Sequence, residues 1–237
     1  MKNIFLVDAD DTLLDFHGAS AIALKTAFEE SGIIWEERFL SEFKVINAGL
    51  WEALERKELT RKELMDRRFH IFLKHMDMEN INADSFNQTF LNHLATHPIY
   101  IDGAQQFLTE IRKLGRVYIV TNGTAWIQKS RFDISNLWSY AEEVFVSDLI
   151  GFDKPAPEYT QYVIDHIPDF SVANAIWIGD SISADIKAAN DAKITSIWFN
   201  RHKKALAGNI FPDYTFTNFE EILMEWQEGV DKRGEMW

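Results

Sequence analysis

Apolar positions along the chain follow two rhythms. Residues 2 to 7 form a short apolar run that reads as a buried strand, and from about His17 to His97 the spacing becomes helical throughout. Between Glu36 and Leu54, Phe39, Phe43, Ile46, Leu50 and Ala53 recur at intervals of four and three, which is one helical stripe. From Thr60 onward, Met65, Phe69, Phe72, Leu73 and Met76 form another, and Thr60 with Glu63 has the form of a capping box. The pattern predicts four helices, around 18–31, 36–56, 60–76 and 83–96, gathered into a small bundle.

After Pro98 helices alternate with short apolar strands, the grain of a parallel sheet covered on both faces. Strands are predicted at RVYIVTN, EEVFVSD, AIWIGD, ITSIWFN and DYTFT. The expected fold is therefore α/β: a doubly wound parallel sheet built from residues 1–16 and 98–237, with an all-α helical bundle inserted at 17–97. Ligands of such sheets sit beyond the carboxyl ends of the strands, and Asp8, Thr121, Asp148 and Asp180 fall at those ends.

Composition narrows the partners. The chain carries 24 basic and 37 acidic residues, a formal net charge of −13, which repels polymeric nucleic acid and anionic membrane surfaces alike. A small phosphorylated substrate remains compatible, because a divalent cation and a few placed side chains can reverse the field inside one cleft. There is no cysteine, hence no disulfide framework or thiolate zinc site, in keeping with a reducing compartment. The run Ile4 to Val7 is too short for a membrane span or a signal peptide. A cytoplasmic monomer or homodimer is expected.

The strand ends carry crowded carboxylates (Asp8, Asp10 and Asp11), a hydroxyl beside an amide (Thr121, Asn122), a lysine (Lys154) and a second acidic cluster (Asp180, Asp185). Taken singly, each has a plainer reading: turn residues, helix caps or a solvated loop lysine. Together they suit phosphoryl transfer through an acyl phosphate, in which a carboxylate attacks phosphorus and a magnesium ion held by oxygen ligands relieves the repulsion between anions.

In order and placement, DADDT, TNG, DKPAPE and GDSISAD resemble the four motifs of the haloacid dehalogenase superfamily, and the helical insert matches the position of that superfamily's type 1 cap. The resemblance implies a role for each residue. Asp8 would be the nucleophile. Asp10 would protonate the leaving oxygen and then deprotonate the hydrolytic water. Thr121 and the Asn122 backbone amide would hold the phosphoryl oxygens, and Lys154 would neutralise the transferring charge. Magnesium would be held by Asp8, the Asp10 carbonyl and Asp180, with Asp185 behind them.

The superfamily spans several reactions. The acid at Asp10 favours phosphoryl chemistry over dehalogenation, whose leaving group needs no proton. The insert's Lys25, Lys44, Lys57, Lys62 and Lys74 lie off the apolar stripes, which speaks against a phosphonatase. DADDTL with NAGLW and RRF resembles the pyrimidine 5'-nucleotidase branch, implying a nucleoside 5'-monophosphate substrate; a β-phosphoglucomutase-like mutase or sugar phosphatase is the alternative. A phosphoaspartate receiver switch, a non-enzyme reading, is disfavoured by the large insert after the first strand. Asn47, Trp51 and Arg68 are expected to face the sheet domain and read the leaving group, with Trp51 stacking on a base. Asp11 is expected to support the turn into the insert and to do no chemistry.

Overall fold

A computed structural model describes residues 3–233, so Lys2 of the expected first strand and the last four residues of the expected sheet domain lie outside the described residues. The first strand is β1 (Asn3–Val7), and four helices follow before the second: α1 (Phe16–Glu30), α2 (Glu37–Glu55), α3 (Arg61–His75) and α4 (Ala83–Thr96). The remainder alternates: α5 (Ala104–Leu114), β2 (Gly115–Thr121), α6 (Ala125–Ser135), β3 (Glu143–Val146), α7 (Ser147–Ile150), α8 (Pro157–His166) and β4 (Ala175–Gly179). A π turn (Ile182–Ile186) runs into α9 (Lys187–Asp191), and β5 (Thr195–Phe199), β6 (Tyr214–Phe216) and α10 (Phe219–Arg233) complete the described residues.

All strand pairings are parallel, in the order β3-β2-β1-β4-β5-β6. Alternation within β1 sends Phe5 and Val7 to one face and Ile4 and Leu6 to the other, so each face carries its own core. Helices α5 and α10 cover the first face, α8 and α9 the second. The chain leaves β1 toward β2 on one side and later crosses to β4 on the other. A cleft is therefore expected beyond the carboxyl ends of β1 and β4, where the strand order reverses.

The helices between β1 and β2 have a separate aromatic core. Phe28 stacks on Phe39 at 4.3 Å between ring centroids and meets Phe86 edge-on at 4.9 Å, while Phe43 stacks on Phe69 at 5.4 Å. The capping box at Thr60 and Glu63 is present, with Thr60 Oγ1 accepting from Glu63 N and the Glu63 carboxylate accepting from Thr60 N. The buried line of α2 runs Phe39, Phe43, Asn47 and Leu54 rather than through Leu50 and Ala53. A 3.6-residue turn carries the later positions round toward the half-buried flank. Ile127 of α6 is buried in this helical core and seats the insert on the sheet domain. Among the described residues no helix is long and apolar enough to cross a membrane.

Phe28→Ala removes the ring at the centre of this aromatic cluster. Urea denaturation should register a loss of about 3–5 kcal/mol; a loss below about 1 kcal/mol would mean that the cluster is not packed as described.

Candidate active site

Lys154 lies at the centre of the strand ends. Only 2% exposed, its ammonium donates to Asp8 Oδ1 at 2.7 Å, Asp185 Oδ1 at 2.7 Å and the Val120 carbonyl at 2.9 Å, so all three N–H groups are used. Burial would pull this lysine down, but the carboxylates of Asp185 and Asp8 more than reverse that and hold it above the ordinary lysine range. Its loop is set by Asn122, whose side chain accepts from Lys154 N at 2.8 Å and donates to Lys154 O at 2.9 Å.

Asp8 extends β1, its amide bonding Ile178 O of β4 at 2.8 Å. With Oδ1 held by Lys154, Oδ2 has no hydrogen bond among the described residues. Burial pushes Asp8 up to about 8, against the lowering effect of Lys154 and with a further rise from Asp185. Asp185 is held on every side: Oδ1 also accepts from Trp177 Nε1 at 3.2 Å and Oδ2 from Ser181 N at 3.2 Å. Gly179 makes this possible, since a Cβ there would overlap the Asp185 carboxyl. Ser181 Oγ accepts from Ala184 N at 3.2 Å and caps the π turn that carries Asp185.

Asp8, Asp180 and Asp185 bring carboxylate oxygens within 4.8 Å of one another. Asp180 is the telling member. Its carboxylate has no hydrogen bond or ion pair among the described residues, and burial, followed by Asp11, Asp8 and Asp185, pushes it well above the usual range. An oxygen-only set with one unpartnered member fits a hard divalent cation. The donors already on Asp185 leave its oxygens less available to such an ion than those of Asp180.

Asp10 and Asp11 diverge. Gln128 Nε2 donates to Asp10 Oδ2 at 2.8 Å and Arg131 contacts Oδ1, so the partners of Asp10 are a cation and an amide rather than other carboxylates. Asp11 occupies the left-handed region at φ 59°, a conformation that Asp tolerates and glycine adopts freely. Its Oδ1 accepts from His17 N at 3.2 Å at the head of α1. Burial pushes Asp11 up to about 6, opposed by that backbone bond and by Arg201, with Asp10 adding to the rise. Burial together with Lys44, Lys204 and Arg201 pulls His17 down to about 4.

Above these groups opens a cleft of about 560 Å³. Its floor contains Asp8, Asp10, Thr121, Asn122, Lys154, Asp180 and Asp185, and its α2 wall contains Phe43, Lys44, Asn47 and Trp51. Arg61 of α3 clasps the floor from the insert: Nη2 donates to Asn122 O at 3.1 Å and Ser147 Oγ at 2.6 Å and pairs with Asp153. The same guanidinium lies over the Trp51 ring at 5.5 Å, so one face of that indole is already covered.

Two residues fall elsewhere. Arg68 does not face the sheet domain. It is 2% exposed inside the helical bundle, over the rings of Phe69 at 4.9 Å and Phe90 at 5.0 Å, and burial pulls it down to about 10. It donates to Asn87 Oδ1 at 3.0 Å and to Asn47 Oδ1 at 3.5 Å, backing Asn47 from behind instead of touching a ligand. Asp148 accepts from Ala125 N at 2.9 Å, tying down the start of α6. Conversely, Arg61, Gln128 and Arg131 went unread. Gln128 and Arg131 share one face of α6 at spacing three, between the apolar Ile127 and Phe132, and that polar pair on an apolar flank is the signal available in the sequence.

A family profile for haloacid dehalogenase-like hydrolases matches residues 2–193. The HAD-hydrolase YfnB of Bacillus subtilis is 37% identical over 217 residues, covering 92% of each chain. The pyrimidine 5'-nucleotidase PynA of Streptococcus pneumoniae is 31% identical over 92% of each chain, and the pyrimidine 5'-nucleotidase YjjG of Escherichia coli is 24% identical over 91% of this chain and 93% of its own. A crystal structure of YfnB bound to magnesium, which reveals interdomain movement, superposes with a TM-score of 0.88 at 35% identity, covering 94% of this chain and 98% of that one. With its motifs gathered in one cleft and a family match over most of its length, the chain belongs to the haloacid dehalogenase-like hydrolases.

Proposed function

We propose that the protein is a magnesium-dependent phosphomonoester hydrolase working through a phosphoaspartate on Asp8, with pyrimidine nucleoside 5'-monophosphates as its substrate class. The observation that carries this reading is the state of Asp8: one oxygen is anchored to Lys154 while the other has no hydrogen bond among the described residues, at a cleft that also presents Asp10. Residues 17–97 act as the cap over a core of 1–16 and 98–237. The nucleotide preference is supported by similarity to the pyrimidine 5'-nucleotidases PynA and YjjG and by a cleft wall that combines the aromatic Phe43 and Trp51 with the amide of Asn47.

In the first half-reaction Asp8 Oδ2 forms a bond to phosphorus as the bond from phosphorus to the leaving oxygen breaks, and Asp10 gives that oxygen a proton. In the second, Asp10 takes a proton from water, which attacks the same phosphorus and releases phosphate with Asp8 restored. Thr121 and the Asn122 backbone amide donate to the phosphoryl oxygens throughout, and Lys154 balances their charge. Asp8, the Asp10 carbonyl and Asp180 would hold magnesium, with Asp185 behind; the ion, when bound, offsets the repulsion between nucleophile and phosphate.

A panel of pyrimidine and purine nucleoside monophosphates, glyceraldehyde 3-phosphate, phosphoglycolate and β-glucose 1-phosphate tests the substrate class. Pyrimidine nucleotides should lead in kcat/KM by about tenfold or more; a lead for a sugar phosphate, or isomerisation of glucose 1-phosphate, would contradict it. Asp8→Asn should abolish turnover and Asp10→Asn should cost about 10²–10⁴-fold, whereas Asp11→Asn, which keeps an acceptor for His17 N, should retain most of it. Equal losses in all three would refute the division of labour.

Magnesium binding should be linked to pH. Without the ion, Asp8 is pushed up to about 8 and Asp180 is raised as well, so the folded state holds protons more tightly than the unfolded chain. The corresponding stability is fully present below the ordinary carboxylate range and is lost as pH rises through about 8. Ligation requires the charged forms, so excess magnesium over EDTA should raise Tm little at pH 5 and substantially at pH 8. Equal shifts at both pH values, or a shift preserved in Asp180→Asn, would argue against this ligand set.

A further inference from the structure

Both oxygens of Asp10 are held by one helix. Gln128 Nε2 donates at 2.8 Å to Asp10 Oδ2 and at 2.8 Å to Thr121 Oγ1, while Arg131 Nη1 pairs with Asp10 Oδ1 and donates to Gln128 Oε1 at 2.9 Å. Both side chains are 1% exposed. Burying a guanidinium is costly, and structural arginines normally recover that cost by satisfying most of their donors. Arg131 does not: among the described residues its Nε and Nη2 have no partner, and its side-chain hydrogen bonds go to Asp10 and Gln128. Gly123 belongs to the same device, because a Cβ there would overlap the Gln128 side chain.

We infer that Gln128 and Arg131 are positioning residues for proton transfer, fixing the Asp10 carboxyl toward the leaving oxygen and turning the Thr121 hydroxyl proton toward the phosphoryl group. The second effect follows from donor direction. Thr121 Oγ1 accepts from Gln128, so its own hydrogen must point away from that amide, toward the cleft. The first follows from constraint. Two donors on different oxygens stop rotation of the carboxyl plane, and a proton donor held in one orientation has already lost the freedom that transfer would otherwise require it to lose. Ile127, the neighbour of Gln128, is buried in the helical insert, so the helix that aims Asp10 is also the one on which the insert sits.

This role rests on the phosphomonoester-hydrolase reading, and leaving-group dependence separates the two. Gln128→Met and Arg131→Met, assayed separately so that either can stand if the other fails to fold, are compared on p-nitrophenyl phosphate and on the best alkyl phosphomonoester of the panel. The quantity read is kcat/KM, which covers the steps up to the phosphoenzyme. A nitrophenolate departs with little help from an acid, whereas an alkoxide needs its proton. Loss of aim should therefore cost about 10²-fold on the alkyl ester and less than about tenfold on p-nitrophenyl phosphate. Equal losses on both esters, as general damage to the fold would produce, or no loss on either, would overturn the positioning role while leaving the hydrolase reading intact. A wild-type protein that cleaves neither ester would refute the hydrolase reading and the positioning role with it.

Discussion

The site is organised around one buried ammonium. Lys154 bonds the end of β1 through Asp8, the end of β2 through Val120 O and the segment after β4 through Asp185, so a single cation draws three parts of the sheet edge to one point. Two carboxylates this close would repel at several kcal/mol in a medium of low polarity, and the lysine between them is what makes their approach tolerable. Its backbone is in turn locked by the Asn122 side chain, and its neighbour Asp153 is gripped from the insert by Arg61. The order of the motifs in sequence thereby becomes a set of mutual contacts in space.

Around this cation the charges are divided by environment. Among the described residues Asp185 is saturated with donors, Asp8 is half-saturated, and Asp180 has no side-chain hydrogen bond or ion pair. In the mechanism proposed above, that gradient suits each carboxylate to a different task without any difference in residue type: one to orient, one to attack and one to receive an ion. Asp10, two residues from Asp8, is set apart by its contacts with α6, and Asp11 by a left-handed backbone that turns its carboxylate to the head of α1. Glycine serves this crowding twice, at Gly123 and Gly179, where close approach of Gln128 and Asp185 leaves no room for a side chain.

Much of this was legible in the chain. The four helices of the insert were expected to within two residues of their observed ends, because their apolar spacing and the Thr60 cap are local signals. The strands and the acidic ends were legible for the same reason: period and sequence order survive folding. What could not be read was direction. Arg68 sits one turn from apolar Leu64 and Phe72, and nothing in its spacing distinguishes a guanidinium aimed at a ligand from one laid over Phe69 and Phe90. Arg61 follows a helix cap, where a solvated arginine is ordinary, and its hydrogen bonds reach 61 to 92 residues away in sequence. Trp51 does line the cleft, but its stacking against Arg61 is a tertiary fact without a local trace.

The central claim is that Asp8 carries the phosphoryl group. Rapid quenching of turnover with a phosphomonoester, followed by reduction of the acyl phosphate and peptide mass spectrometry, reads the attacking residue directly. The account predicts modification at Asp8 alone, lost in Asp8→Asn; modification at Asp10 or Asp180, or turnover with no trapped acyl phosphate at any carboxylate, would contradict it.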